Sequence, residues 1–139
     1  MYRHILLTTD GSELAQRGVD HGLALAKNLG SKVTAVTVTH PYPLQSAATI
    51  GTWEAAQKEH ADKAIAAVKQ AASRAGLEVG IVHESNDSPA EAIVDTAKKL
   101  GCDLIVMASH GRRGVSRLLL GSQTAEVVHS SPIPVLVVR

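Results

Sequence analysis

The chain has 139 residues, which is enough for one compact domain with a buried core. Apolar residues make up 45 % of it, but Phe is absent and aromatic residues account for only 2 %. The core must therefore consist of Val, Ile, Leu and Ala. A formal net charge of +1 and so few aromatic rings argue against a nucleic-acid-binding surface. No apolar run approaches the roughly 20 residues of a membrane-spanning helix.

Cys102 is the only cysteine in the sequence, so an intramolecular disulfide is excluded. We expect it to be a small buried residue rather than a redox centre. The N-terminal sequence lacks the apolar segment and the small-residue cleavage site of a signal peptide. These features predict a cytoplasmic protein.

The first elements are a strand, a helix and a second strand. Residues 4–9 (HILLTT) are apolar and β-branched, and they predict a buried strand. Asp10 or Ser12 can cap the helix that follows, and Gly30 ends it. The second strand covers residues 32–38. Apolar residues recur at helical spacing between the two strands: Ala15, Val19, Leu23 and Ala26.

The middle of the chain begins with a long irregular segment. Residues 40–52 contain two prolines and show no period, which indicates a loop of functional length. An Ala-rich helix is predicted over residues 53–75, and a third strand over residues 78–83. Ser88 as N-cap, with Pro89 next and Glu91 in the capping-box position, then begins a helix that continues to residue 100.

The last third contains two more strands. Residues 103–107 predict the fourth strand, Ser122 or Gln123 begins a helix that continues to about residue 129, and Val135–Val138 is the fifth strand. Five strands alternating with four helices predict an α/β fold. We expect an open, parallel five-stranded sheet with helices on both faces.

Ligands of such sheets bind at the carboxyl ends of strands where the strand order reverses. In the order 3-2-1-4-5 this point lies between strands one and four. Asp10 ends strand one and residues 108–111 follow strand four, so the two segments would face each other.

Residues 108–124 (ASHGRRGVSRLLLGSQT) combine small and basic residues after a strand, an arrangement that suits phosphate binding. Gly111 and Gly121 allow close backbone approach, and Ser122 and Thr124 offer hydroxyl groups. Positive charge comes from Arg112 and Arg113. The alternatives are an ordinary loop with solvent-facing arginines and an Asp10 that only caps a helix. Neither GxxxxGK[ST] nor GxGxxG follows the first strand, which argues against P-loop and Rossmann enzymes.

Three other site types find little support. Ser109 and His110 with Asp10 suggest a hydrolase triad, but G-x-S-x-G is missing and neighbouring side chains of an extended chain point apart. The seven histidines show no zinc-ligand spacing. A receiver-type phosphoacceptor domain would need an acidic cluster and a late lysine, both of which are absent.

The whole chain resembles the universal stress protein family. The resemblance rests on the opening HILLTTDGS, the Ala-rich second helix, the closing PVLVV and the loop after strand four. ATP-binding members have glycine, two residues, glycine, nine residues, then glycine followed by Ser or Thr. Here Gly111, residues 112–120 and Gly121-Ser122 fit that motif, while Ala108 occupies the first glycine position and adds a methyl group near the ribose.

The resemblance implies an adenine nucleotide, ATP, as ligand, with Mg²⁺ as a candidate companion ion. Adenine would lie at Asp10 and the backbone of Val38, next to Thr9, and the ribose at Met107 and Ala108. The phosphates would be held by the remaining residues, with Arg112 and Arg113 nearby: Gly111, Gly121, Ser122, Gln123 and Thr124.

The function expected from this resemblance is a cytoplasmic stress-response protein that binds ATP, with at most slow, incidental hydrolysis. Val135–Val138 is an edge strand without charged residues, which predicts a homodimer through this strand. The resemblance implies the same dimer. The alternative function is a nucleotide-free interaction module of the same fold, acting through its dimer surface and residues 40–52.

Overall fold

The computed structural model describes residues 1–43, 49–110 and 120–139. Within them, five strands alternate with four helices. The elements in chain order are β1 (His4–Thr8), α1 (Glu13–Leu29), β2 (Lys32–Thr39), α2 (Ile50–Ala75), β3 (Gly80–Ser85), α3 (Pro89–Leu100), β4 (Leu104–Ala108), α4 (Ser122–Ser130) and β5 (Val135–Val138).

The five strands form one parallel sheet in the order β3-β2-β1-β4-β5. The fold class and strand order predicted from the sequence are therefore confirmed. The order reverses at β1, whose neighbours are β2 on one side and β4 on the other. Every residue of β1 and β4 is buried, as expected for central strands covered on both faces.

Successive side chains of β1 point to opposite faces of the sheet and enter two separate cores. Ile5 packs with Val19 of α1 and Val68 of α2 on one face. Leu6 packs with Ile93 of α3 and Val127 of α4 on the other. The sheet is thus clamped between two pairs of helices, which fixes the carboxyl ends of its strands.

Helix α2 begins at Ile50, three residues earlier than predicted. Thr49 is its N-cap, with Oγ1 accepting a hydrogen bond from the N–H of Thr52 at 3.1 Å. The first turn is exposed and carries Gly51, so it shows no apolar period from which the start could be read. Residues 44–48 of the predicted loop lie outside the described residues.

Strand β3 was predicted over residues 78–83, two positions too early. Leu77 is still bound to helix α2, since its N–H donates to the carbonyl of Ala72 at 2.9 Å. At the other end β2 extends to Thr39, whose carbonyl accepts from the N–H of Asn86 at 2.9 Å. Pairing with this longer strand carries β3 on to Ser85.

The predicted start of α3 is confirmed, but its capping box is only half formed. Ser88 Oγ accepts from the N–H of Glu91 at 3.3 Å. The N–H of Ser88 donates to Asn86 Oδ1 at 2.9 Å, where the capping box would have used Glu91.

None of the helices in the described ranges is long and apolar enough to cross a membrane.

Candidate functional site

A cleft of about 600 Å³ opens at the carboxyl edge of the sheet, at the point where the strand order reverses. This volume is within the range of about 300–1,000 Å³ that is usual for small-molecule sites. The ends of β1, β2 and β4 form its floor, α2 forms one wall, and the first turns of α3 and α4 form the other.

The cleft brings together nine of the residues predicted as binding residues. They come from four separate segments of the chain: Thr9 and Asp10; Val38; Met107 and Ala108; Gly121, Ser122, Gln123 and Thr124. The other three, Gly111, Arg112 and Arg113, lie outside the described residues.

Asp10 and Ser12 both stabilise the N-terminus of α1, through different hydrogen bonds. Ser12 is the N-cap, and its Oγ accepts from the N–H of Ala15 at 3.1 Å. Asp10 Oδ1 accepts from the N–H of Ser12 at 2.9 Å and so fixes the turn that leads into the cap. The carboxylate of Asp10 is thereby held at the floor of the cleft.

The backbone of Val38 points into the cleft because β1 ends before β2 does. The carbonyl of Val36 accepts from the N–H of Thr9 at 3.2 Å, on the β1 side, and the carbonyl of Thr39 is bound on the β3 side. Backbone groups alternate along a strand. The N–H and C=O of Val38 therefore face the β1 side, beyond the last residue of β1.

Polar contacts hold the first turn of α4 against the end of β4 and the start of α3. Thr124 Oγ1 donates to the carbonyl of Ala108 at 2.8 Å, and Gln123 Oε1 accepts from the N–H of Ala90 at 3.0 Å. The hydroxyl proton of Thr124 is thus bound to a protein carbonyl. The groups of this turn that face the cleft are the exposed Ser122 and the first backbone N–H groups of the helix. These N–H groups lack carbonyl partners within the helix.

Gly121 has a packing role that the sequence did not reveal. Its N–H donates to the carbonyl of Ser109 at 2.8 Å. A Cβ added at this position would lie 3.2 Å from His110 Cα. A side chain here would force α4 and the segment after β4 apart by a few tenths of an ångström, so glycine allows their close contact.

The side chains of Ser109 and His110 were predicted to point apart, but in the structure they are in contact. Ser109 Oγ lies 3.1 Å from His110 Nδ1, and both residues are buried. Of the two, only the histidine lines the cleft. The pair consequently does not offer a hydroxyl nucleophile to a ligand in the cleft.

Sequence reasoning missed the wall that α2 contributes. Gln57, His60 and Ala61 line the cleft, joined by Thr39 and His40 from the end of β2. The i, i+3, i+4 spacing of the three α2 residues was a usable signal, since it puts them on one face of the helix. Gln57 Oε1 also accepts from the N–H of His40 at 3.0 Å, which ties α2 to β2.

The described lining carries one carboxylate, Asp10, and three imidazoles, His40, His60 and His110, with no Lys or Arg among these residues. In the described ranges, no group of three or more His, Cys, Asp or Glu side chains is arranged to hold a metal ion. The shifted pKa values of the described chain lie at the opposite end of β4, at Cys102 and Asp103.

Comparison with known proteins identifies the family. The sequence matches the family described as Universal stress protein family over residues 1–139. Universal stress protein MJ0531 of Methanocaldococcus jannaschii is 33 % identical over 142 residues, covering 100 % of this chain and 83 % of that protein.

Solved structures share the fold. UspA from Lactobacillus plantarum has a TM-score of 0.86 and 26 % identity, covering 99 % of this chain and 98 % of that one. A universal stress protein in complex with cAMP has a TM-score of 0.75 and 25 % identity, covering 99 % and 97 %. A related protein of this fold therefore binds a nucleotide. Because the family match spans all 139 residues, this chain belongs to the universal stress protein family.

Proposed function

We propose that this chain is a cytoplasmic stress protein that binds an adenine nucleotide, ATP, in the cleft between β1 and β4. The observation that carries the proposal is the convergence of nine predicted binding residues on one cleft of about 600 Å³. The complex of a related universal stress protein with cAMP supports adenine nucleotides as the ligand class.

The end of β2 suits the adenine ring. The N–H and C=O of Val38 offer a donor and an acceptor in one plane, which is what the edge of a purine ring requires. Asp10, held by its hydrogen bond to the N–H of Ser12, adds a carboxylate acceptor for an amino group or a ribose hydroxyl. The apolar side chains of Ile93 and Met107 line the same cavity.

The first turn of α4 suits the phosphates. Its N–H groups and the positive end of the helix dipole attract anions. The small N-cap, Gly121, leaves these groups accessible, and Ser122 adds an exposed hydroxyl. In this proposal Arg112 and Arg113 supply the remaining positive charge.

Mg²⁺ would enter this site with the nucleotide. Asp10 is the one carboxylate of the described lining, so most ligands of the ion would be phosphate oxygens and water. We propose that hydrolysis is at most slow and incidental.

Isothermal titration calorimetry with ATP, AMP and cAMP tests the proposal. We expect saturable binding of at least one of them with one ligand per chain. Absence of heat with all three, confirmed by equilibrium dialysis, would overturn it.

Asp10→Asn sharpens the test because it keeps the Oδ1 acceptor for the N–H of Ser12 and replaces the second oxygen with a donor. We expect ATP affinity to fall about tenfold or more, since a hydrogen bond to a charged group contributes about 1.5–3 kcal/mol. The matched control is Asp20→Asn on the exposed side of α1, where the carboxylate accepts only from Gln16 Nε2 at 2.9 Å among the described contacts. Equal loss in both variants would show that net charge, not the cleft contact, is responsible.

A second function is favoured by the position of β5 at one edge of the sheet. This strand is half-buried along its whole length, and no other strand of the described residues pairs with its outer side. We propose that it pairs with a second copy to form a homodimer. A nucleotide-free interaction module would act through this dimer surface and residues 40–52.

A further inference from the structure

His110 lines the cleft, but the proposed function assigns it no contact with the ligand. It follows the end of β4 by two residues, its side chain lines the cleft, and the residue is only 7 % exposed. Burial of an imidazole at a ligand cavity removes its ring nitrogens from water, which strengthens any hydrogen bond made to a ligand.

The backbone around His110 is held on two sides. The N–H of Ser109 donates to the carbonyl of Val138 at 2.8 Å, and the carbonyl of Ser109 accepts from the N–H of Gly121 at 2.8 Å. A Cβ at Gly121 would come within 3.2 Å of His110 Cα. The histidine is therefore fixed against the N-cap of α4.

The contacts of the ring define its orientation. Nδ1 lies 3.1 Å from Ser109 Oγ. On the other side of the ring, Cδ2 is 3.7 Å from the Cβ position of Gly121. Since Nε2 is bonded to Cδ2, the nitrogen that does not face Ser109 lies on the α4 side. Ser109 Oγ can either donate to Nδ1 or accept from it. An anionic group near Nε2 favours the tautomer in which the Ser109 hydroxyl donates to Nδ1, so that Nε2 carries the proton and is a hydrogen-bond donor.

We propose that His110 contacts the phosphate group of the nucleotide through Nε2–H. This inference rests on the proposed function and extends it: the cleft then distinguishes phosphorylated adenosine from the free nucleoside. Two kinds of donor meet at one point, the backbone N–H groups of the first turn of α4 and the imidazole beside its N-cap. The other titratable groups lining the cleft are Asp10 after β1, His40 after β2 and His60 on α2, and all three are unchanged in the variants below.

The test measures the dissociation constants of adenosine and ATP for the wild-type protein and two variants. His110→Asn keeps an amide near the Nδ1 position and loses the donor at Nε2, whereas His110→Gln places an amide N–H near Nε2. We expect the Asn variant to lose about tenfold of the preference for ATP over adenosine, with adenosine affinity unchanged. The Gln variant should retain most of the preference. His129→Gln, an exposed histidine in the last turn of α4, is the matched control.

An unchanged preference in the Asn variant, or equal losses of ATP and adenosine affinity, would overturn the inference and leave the proposed function intact. Failure of the wild-type protein to bind either ligand would overturn both. The imidazole ¹⁵N spectrum of the wild-type protein avoids any dependence on variant folding. ATP should shift the His110 Nε2 resonance and adenosine should not, and equal shifts with both ligands would contradict a phosphate contact.

Discussion

Cys102 is the residue whose chemistry the fold changes most clearly. It is 5 % exposed, at the start of β4, and packs in the core shared by α3 and α4. Burial, reinforced by the negative charge of Asp103 and opposed by Lys32, raises the pKa of its thiol to about 11. The prediction that it is a small buried residue is confirmed.

The raised pKa leads to a test of Cys102. Thiols react as thiolates, and at pH 8 a group with a pKa of about 11 is ionised in roughly one molecule in a thousand. We expect alkylation by iodoacetamide to be at least a hundredfold slower in the native protein than in urea. A native rate near that of a free thiol would show that the thiol is accessible.

Asp103, the neighbouring residue, ties the start of β1 to the start of β4. Its carboxylate accepts from the N–H groups of Arg3 at 2.9 Å and His4 at 3.1 Å. These bonds, that of Arg3 first, lower the pKa of the carboxyl group below its ordinary 3.8. Such a depressed pKa favours the folded state above pH 4, and this contribution is lost as the pH falls through the folded-state pKa.

Single residues also show where sequence reasoning reaches its limit. The cap role of Ser12 and the position of Asp10 could be predicted because both depend on local spacing. The packing of Gly121 against His110 could not be predicted, since these residues are eleven positions apart in the sequence and meet only in the folded chain. Gly121→Val is consequently a poor probe of ligand binding, because it would displace His110 as well.

At the scale of elements, α1 approaches the sheet through glycine. A Cβ added to Gly18 would lie 3.0 Å from the backbone nitrogen of Ala108 and 3.3 Å from the carbonyl carbon of Met107. Backbone atoms of a central strand cannot move aside as a flexible side chain can. Gly18 thus sets the distance between α1 and the end of β4, where the cleft begins.

Gly18→Ala should lower the free energy of unfolding by about 1–2 kcal/mol, because overpacking costs about 1–3 kcal/mol and alanine recovers up to about 1 kcal/mol of helix propensity. Gly51→Ala in α2 is the matched control: its Cβ meets nothing within 4 Å, so the same replacement should be neutral or stabilising. Urea unfolding measures both. A neutral Gly18→Ala would mean that α1 does not approach the strand this closely.

The elements were predictable in kind and order, and less so at their ends. Strongly periodic or β-branched segments such as β1, α3 and β5 carry their own signals. The register of β3 depends on a partner elsewhere in the chain, since β3 ends where β2 ends. The start of α2 depends on a local cap, Thr49, in a turn that carries no apolar period.

At the scale of the whole molecule, β5 is an edge strand, and within the described ranges no strand pairs with its outer side. The carbonyls of Pro134 and Val138 accept from the N–H groups of Ile105 on β4 and of Ser109 directly after β4, at 3.0 and 2.8 Å. By alternation, the backbone groups of Val135 and Val137 face away from the sheet. An edge of this kind, without charged side chains, is a template for another strand.

Val137→Pro removes one outward N–H without removing a hydrogen bond to β4. If the proposed homodimer forms through β5, light scattering should give the mass of a dimer for the wild-type protein and of a monomer for this variant. Val137→Lys, which keeps the N–H and adds a charge at the edge, should weaken the dimer as well. A monomeric wild-type protein at micromolar concentration, or a dimer unaffected by both changes, would contradict the proposal.

The candidate site could be predicted in its location and in part of its lining. The strand order places the ends of β1 and β4 side by side, so Asp10 and Ala108 were expected there. Gln57 and His60 were not, because the crossing of α2 over the end of β2 is a consequence of packing. Whether the methyl group of Ala108 crowds a ribose depends on the ligand and not on the fold.

The central claim is that an adenine nucleotide binds in the cleft between β1 and β4. The most direct measurement is a titration of ¹⁵N-labelled protein with ATP, followed by the backbone amide resonances. We expect the largest shifts at the cleft residues Thr9, Val38, Ala108 and Ser122, while the resonances of β3 and of the exposed face of α3 stay unchanged. Unperturbed cleft resonances at millimolar ATP, or shifts concentrated away from the cleft, would contradict it.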